Sequence, residues 1–148
     1  MYLATVIDCY SKKVVGWSIA DHMRIELVVD VLINAAHTTV IEEGAVFHSH
    51  RGSVYAATKH RTLVTHLGMR SLMSRTGVCW DNDLAESFFS ALKNERAHRT
   101  VYATKAQATR DVIMYIEGFY NSRRRHSALG YQRPNDVHYA YQQQVLAA

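Results

Sequence analysis

The side chains best suited to polar chemistry fall in two stretches, Phe47-His48-Ser49-His50-Arg51-Gly52-Ser53 and Trp80-Asp81-Asn82-Asp83-Leu84-Ala85-Glu86-Ser87-Phe88-Phe89. Glu86 offers carboxylate oxygens, the hard ligands that Mg²⁺ prefers. His48 and His50 stand at alternate positions and offer imidazole nitrogens, which suit zinc or manganese better than magnesium. Metal-assisted chemistry on a phosphate ester needs an activated oxygen nucleophile and stabilised charge on the phosphate. Two divalent ions about 3.5–4 Å apart supply both when carboxylates hold them. A metal-dependent nuclease built on His50 and Glu86 would need a third ligand. Asp81 and Asp83 are near Glu86 in sequence, but no spacing sets them opposite His50. Glu86 also has a structural reading: Asp83-Leu84-Ala85-Glu86 has the form of a capping box, with the glutamate reaching back to the helix start.

The net charge is +4 and the isoelectric point near 9.2, which is compatible with a nucleic-acid partner without singling one out. Distribution says more than the total. Arg123-Arg124-Arg125-His126 is the densest basic run, and Lys93, Arg96 and Arg99 form another. Lys93 lies seven positions after Glu86, on the same helix face, where it could meet a DNA phosphate or simply be solvated. Arg123, Arg124 and Arg125 follow an amphipathic helix. There they could bind DNA phosphates, each contact adding to the salt dependence of binding, or satisfy the helix's terminal carbonyls and dipole. Glu95 is expected to be structural, as a salt-bridge partner, and Asp8 to hold a turn or strand end.

The elements that must position these groups follow from period and punctuation. Tyr2 to Asp8 and Lys13 to Ile19 are rich in β-branched and aromatic residues and predict two strands, joined by a turn around Ser11-Lys12. Ile25, Val28, Val29, Leu32 and Ala36 mark the stripe of a helix over 24–39, beyond which Gly44 breaks the pattern. Ala45 to His48 predicts a short strand, Ser53 to Leu67 a helix stopped by Gly68, and Met69 to Met73 a further strand. The stretch 74–80 reads as flexible. Leu84, Phe88 and Leu92 predict a helix over 83–98. Val112, Ile113, Ile116, Phe119 and Tyr120 predict another over 104–121, and Pro134 opens a last one. The alternation is that of an α/β fold with an antiparallel start.

At 148 residues the chain is one ordinary domain able to bury a core. A 48% hydrophobic content and a single Pro argue against disorder. No run reaches the roughly 20 apolar residues of a membrane helix, and no leader pattern is expected at the N-terminus. Cys9 and Cys79 are too few for a disulfide framework, and a reducing cytoplasm fits them.

Together these blocks resemble the second and third acidic motifs of insertion-sequence transposases of the two-reading-frame group, within the retroviral-integrase catalytic core superfamily. His50 stands where the resemblance places an Asp and Glu86 where it places the Glu. Thirty-five residues lie between them, the separation found in many members. Gly52, Tyr55, Trp80-Asp81-Asn82, Leu92-Lys93 and Glu95 extend the match. Tyr120-Asn121, Arg124, His126, Leu129-Gly130 and Pro134 resemble the group's C-terminal signature. Several blocks in the right order are far more specific than any one of them. The resemblance implies a ribonuclease-H-like integrase core with C-terminal helices, in which 1–100 form the catalytic core and 101–148 a helical extension of the same unit. It further implies DNA as substrate, Mg²⁺ or Mn²⁺ as cofactor, and transposition and integration by strand transfer. Glu86 and the His50 position would be catalytic, with Glu86 a metal ligand.

Two departures shape the expectation. The leading Asp of the resemblance belongs to a strand upstream of Tyr2, so a chain starting at Met1 is expected to lack it, along with the separate helix-turn-helix module. His50 replaces a carboxylate with an imidazole and removes a negative charge that would offset the metals. The chain is therefore expected to be a truncated, degenerate core without activity. The alternative is a non-catalytic nucleic-acid-binding or transposition-inhibiting protein that pairs with an intact transposase. Loss of the first strand would leave unpaired edges on the strands at Tyr2 and Phe47. Such edges invite pairing with another chain, so a destabilised, self-associating protein is expected.

Overall fold

Alternating β-branched and aromatic residues draw out β1 (Tyr2–Ile7) and β2 (Val14–Ala20). Their connection is too short for a crossover, so the pair is a hairpin. The computed structural model describes residues 1–49, 58–73 and 83–147. After the hairpin come α1 (Ile25–Thr38), β3 (Val46–Ser49), α2 (Thr58–His66), β4 (Arg70–Met73), α3 (Asp83–Glu95), α4 (Lys105–Tyr115), a π-helical turn (Ile116–Tyr120) and α5 (Pro134–Ala147). Single 3₁₀ turns occupy Ala97–Arg99 and Ser127–Leu129. The mixture of strands and helices anticipated from the sequence is present, with ends displaced by a few residues. The expected helix before Thr58 and the stretch 74–80 lie outside the described residues.

The chain divides into two compact units, one of Met1–Val6 with Val15–Glu86, the other of Ile7–Val14 with Ser87–Ala148. In the first, α1 lies on the hairpin. Its buried face is Leu27, Val28, Val29, Val31, Leu32 and Ala35, broader than the predicted stripe, with Ala35 in place of Ala36. Close approach depends on Gly16: a Cβ there would sit 2.6 Å from the Val31 carbonyl oxygen and 2.9 Å from the Ala35 Cβ. Asn34 Nδ2 donates to the Trp17 carbonyl at 3.0 Å, and the Thr38 hydroxyl donates to that of Val15. Helix α1 ends at Thr38, so Gly44 acts later, at φ 78°, in the turn before β3.

Strands β3 and β4 pair in parallel, Val46 opposite Arg70 and Ser49 opposite Met73. Parallel neighbours need a crossover, and α2 supplies its described helical part, ending where Gly68 takes φ 78°. On α2, His60 and Val64 are buried, the His60 ring 5.4 Å from that of Phe47. Among the described residues the strands form two separate pairs, β1–β2 and β3–β4.

In the second unit, Phe88 is fully buried at the centre of an aromatic cluster, edge-on to Tyr120 at 4.9 Å. Helix α4 opens at Thr104, whose hydroxyl accepts from the Gln107 amide at 3.2 Å while Gln107 Oε1 accepts from the Ala103 amide at 3.0 Å. This reciprocal cap resembles the capping box. The single helix expected over 104–121 changes after Tyr115 into the π-helical turn. The wider turn rotates the stripe: Tyr115, Ile116 and Tyr120 are buried, whereas Phe119, expected inward, is 38% exposed.

The same unit folds the hairpin turn into the helical half of the chain. Asn121, buried, donates from Nδ2 to the Val14 carbonyl and accepts at Oδ1 from the Val14 amide, both at 3.0 Å. The Tyr10 ring packs on Tyr141 at 5.0 Å, and Lys13 lies over the Tyr139 ring at 5.1 Å.

Candidate functional site

Helix α3 carries the carboxylate that the sequence singles out. Asp83 and Glu86 both fall in its first turn and are exposed, a position where negative charge favours the positive end of the helix dipole. Position 82, where a cap would stand, lies outside the described residues, as do His50 and Asp81. Lys93 is exposed near the end of α3. Seven residues bring it back to the azimuth of Glu86, since the helix turns once per 3.6 residues.

Oxygen donors of the Glu86 kind suit Mg²⁺ or Mn²⁺. The imidazole that His50 supplies, by its identity, does not replace the carboxylate a two-ion site needs. Among the described residues no group of three His, Cys, Asp or Glu side chains could hold a metal ion.

The second unit builds a different arrangement around Glu95. The Arg124 guanidinium donates to Glu95 Oε1 from Nε at 3.0 Å and from Nη2 at 2.9 Å, and the Tyr115 hydroxyl donates to Oε2 at 2.7 Å. Burial acts to raise the Glu95 pKa, but hydrogen bonds from Arg124 and Tyr115 outweigh it and hold the carboxyl below its ordinary range. Burial, reinforced by the hydrogen bond to Glu95, pushes the Tyr115 phenol up. Arg124 also lies over the Tyr120 ring, 5.9 Å from its centroid. The expectation of Glu95 as a salt-bridge partner thus has its partner in Arg124, one of the arginines read as DNA-binding. Arg123 and Arg125, on either side, are exposed.

Nearby, Arg96 reaches Asp111 at 3.9 Å, and the Tyr102 hydroxyl donates to the same carboxylate at 2.5 Å. Arg99 donates from Nε to the Asn94 carbonyl at 2.8 Å. Sequence reading named Arg96 and Arg99 only as a local cluster, because ion pairs between residues far apart in the chain leave no periodic trace.

Asp8, assigned to a turn, organises one. Its Oδ2 accepts from the Ser11 hydroxyl at 2.6 Å and the Ser11 amide at 3.1 Å, and lies 3.4 Å from His138 Nδ1 on α5. Burial would raise its pKa, but the hydrogen bonds to His138 and Ser11 prevail and lower it to about 2. Ser11 is fully buried, its hydroxyl donating to Asp8 and lying 3.4 Å from His138 Nδ1, so the trio fastens the turn to α5.

An α/β chain with an exposed helical carboxylate and a paired, arginine-rich C-terminal half is the class in hand. Family models described as integrase core domain match residues 1–79 and 67–134, and the chain belongs to the integrase core domain family. Its relatives are insertion-sequence proteins. It is 38% identical over 136 residues to the transposase for insertion sequence element IS904 of Lactococcus lactis, covering 92% of this chain and 54% of that one. It is 36% identical over 143 residues to the insertion element IS600 uncharacterized 31 kDa protein of Shigella sonnei, covering 97% and 53%. To transposase InsF for insertion sequence IS3A of Escherichia coli it is 35% identical over 130 residues, covering 88% and 45%. The chain thus spans about half the length of the curated relatives it matches. No helix among the described residues is long and apolar enough to cross a membrane.

Proposed function

We propose that this chain is the portion of an insertion-sequence transposase that carries the second and third acidic positions of the integrase core, that its substrate is DNA, and that it does not itself catalyse strand transfer. The observation carrying this reading is that integrase-core matches run through both acidic blocks while the second block has His50 in place of Asp. Glu86 is the ancestral catalytic and metal-binding carboxylate, exposed on α3. One carboxylate and one imidazole do not hold two Mg²⁺ or Mn²⁺ ions, and the negative charge that would offset them is short by one.

The fold proposed is ribonuclease-H-like, with 1–100 as the core and 101–148 as its helical extension. Support comes from the order hairpin, helix, strand, helix, parallel strand, helix, and from the separation of the strands into β1–β2 and β3–β4 pairs. A strand seated between β1 and β3 would join the pairs into one sheet. An edge open there would favour self-association or pairing with an intact transposase.

The test is a nicking assay on supercoiled DNA with Mg²⁺ or Mn²⁺, comparing the chain with Glu86→Ala. The expected result is no cleavage above background from either protein. Cleavage that disappears in Glu86→Ala overturns the inactive assignment. A second reading, a non-catalytic DNA-binding or transposition-inhibiting protein, is favoured by the exposure of Arg123 and Arg125. Its mark is salt-sensitive DNA binding without cleavage, together with inhibition of an intact transposase added to the same reaction.

A further inference from the structure

Two basic clusters far apart in sequence, 93–99 and 123–126, meet in the second unit through one ion pair. Glu95 on α3 is held by Arg124 through both Nε and Nη2, and Tyr115 closes the other carboxylate oxygen. Arg99 lies four residues beyond Glu95, in the 3₁₀ turn that follows α3 and past Arg96, whose backbone leaves the helix at φ −132°; its Nε donates to the carbonyl of Asn94, next to Glu95. Arg123 and Arg125 flank Arg124. The backbone that carries them is fixed, with the Arg123 and Arg124 amides donating to the Phe119 carbonyl at 2.8 and 2.7 Å.

Carboxylates in this neighbourhood are spent internally: Glu95 on Arg124 and Tyr115, Asp111 on Arg96 and Tyr102. Arg99, Arg123 and Arg125 are exposed, and among the described residues none of them has an ion-pair partner. Like charges gathered on a fixed backbone repel one another and attract a polyanion. Guanidinium forks match phosphate oxygens in pairs. Of the rings beside them Tyr115 and Tyr120 are buried and Phe119 is 38% exposed, so exposed guanidiniums outnumber the rings on which a single strand would stack.

We infer that Arg99, Arg123 and Arg125 form one face that takes the phosphate backbone of duplex DNA, and that Arg124 is its internal clasp and contacts no phosphate. This deepens the reading of the chain as a DNA-binding integrase core and rests on it. Arg124 thereby leaves the set of DNA ligands read from sequence, and Arg99 enters it.

The experiment is fluorescence anisotropy of a labelled 30-base-pair duplex titrated with the full chain at several KCl concentrations. Each phosphate contact contributes about 0.9 to the slope of log K against log salt. Arg99→Ala, Arg123→Ala and Arg125→Ala are each expected to flatten the slope by about that amount, with the melting temperature unchanged in Arg123→Ala and Arg125→Ala. Arg24→Ala, on an exposed residue of the other unit, is expected to leave the slope unchanged. Arg124→Ala is expected to lower the melting temperature, and Arg124→Lys to restore part of it. A wild-type chain that binds, with slopes untouched in the three variants, overturns the face and spares the DNA reading. A wild-type chain with no affinity even at low salt overturns both. An Arg124→Ala variant that melts normally but loses slope like its neighbours overturns the clasp. Tighter, steeper binding of a single strand than of the duplex overturns the duplex assignment.

Discussion

Asn121 grips Val14 with both halves of its amide, donating to the carbonyl and accepting from the N–H at 3.0 Å each. A side chain here takes the place that a neighbouring strand would occupy at the start of β2. Its own carbonyl accepts from the Asn135 amide at 2.9 Å, so one residue fastens the hairpin turn to the start of α5. Asn121 is 1% exposed, and water cannot stand in for it.

Asn121→Leu keeps the volume and leaves two backbone groups of Val14 without partners. Stranded buried groups cost about 1–3 kcal/mol each, and a loss of about 3 kcal/mol is expected in urea unfolding. A loss below roughly 0.5 kcal/mol, the range of ordinary surface changes, would show that the grip contributes little.

Gly16→Ala puts a methyl where the Val31 oxygen and the Ala35 side chain already stand, at 2.6 and 2.9 Å. Helix α1 must lift off the hairpin, and overpacking of this kind costs about 1–3 kcal/mol. A thermal melt as high as that of the unsubstituted chain would mean that α1 has slack to yield.

Phe88→Ala removes a fully buried ring that sits edge-on to Tyr120. Truncating a core phenylalanine costs about 3–5 kcal/mol, a large share of a domain's stability. Phe88→Leu is expected to lose less than half as much, and equal losses would point away from cavity formation as the cause.

The pH dependence follows from Asp8. Hydrogen bonds to His138 and Ser11 overcome its burial and place its folded pKa at about 2, below the ordinary 3.8. A depressed carboxylate stabilises the fold above its unfolded pKa, and that contribution disappears as pH falls through the folded value. Stability is therefore expected to decline between pH 4 and pH 2, and Asp8→Asn to be less stable at neutral pH with a shallower acid decline. Parallel declines in the two proteins, followed by circular dichroism, would remove Asp8 as the cause.

Period and punctuation made the elements legible. Val and Ile patterns marked the hairpin, Gly68 stopped α2, Pro134 opened α5, and the spacing of Leu84, Phe88 and Leu92 marked α3, with Phe88 and Leu92 buried as read. The π-helical turn was not legible, because Ile116, Phe119 and Tyr120 fit an α-helical stripe as well as a wider one. Only packing against Phe88 selects the turn that buries Tyr120 and leaves Phe119 at the surface.

By itself the sequence determined the family, through blocks whose identity and order survive without coordinates, and it determined that His50 stands where a carboxylate is expected. Tertiary structure decided how the charges are used. Arg124 and Glu95 are 29 residues apart, and Asp8 and His138 are 130 apart. Ion pairs and hydrogen bonds fall off within a few ångströms, so which charges pair and which stay open to solvent is settled only when folding brings distant segments together.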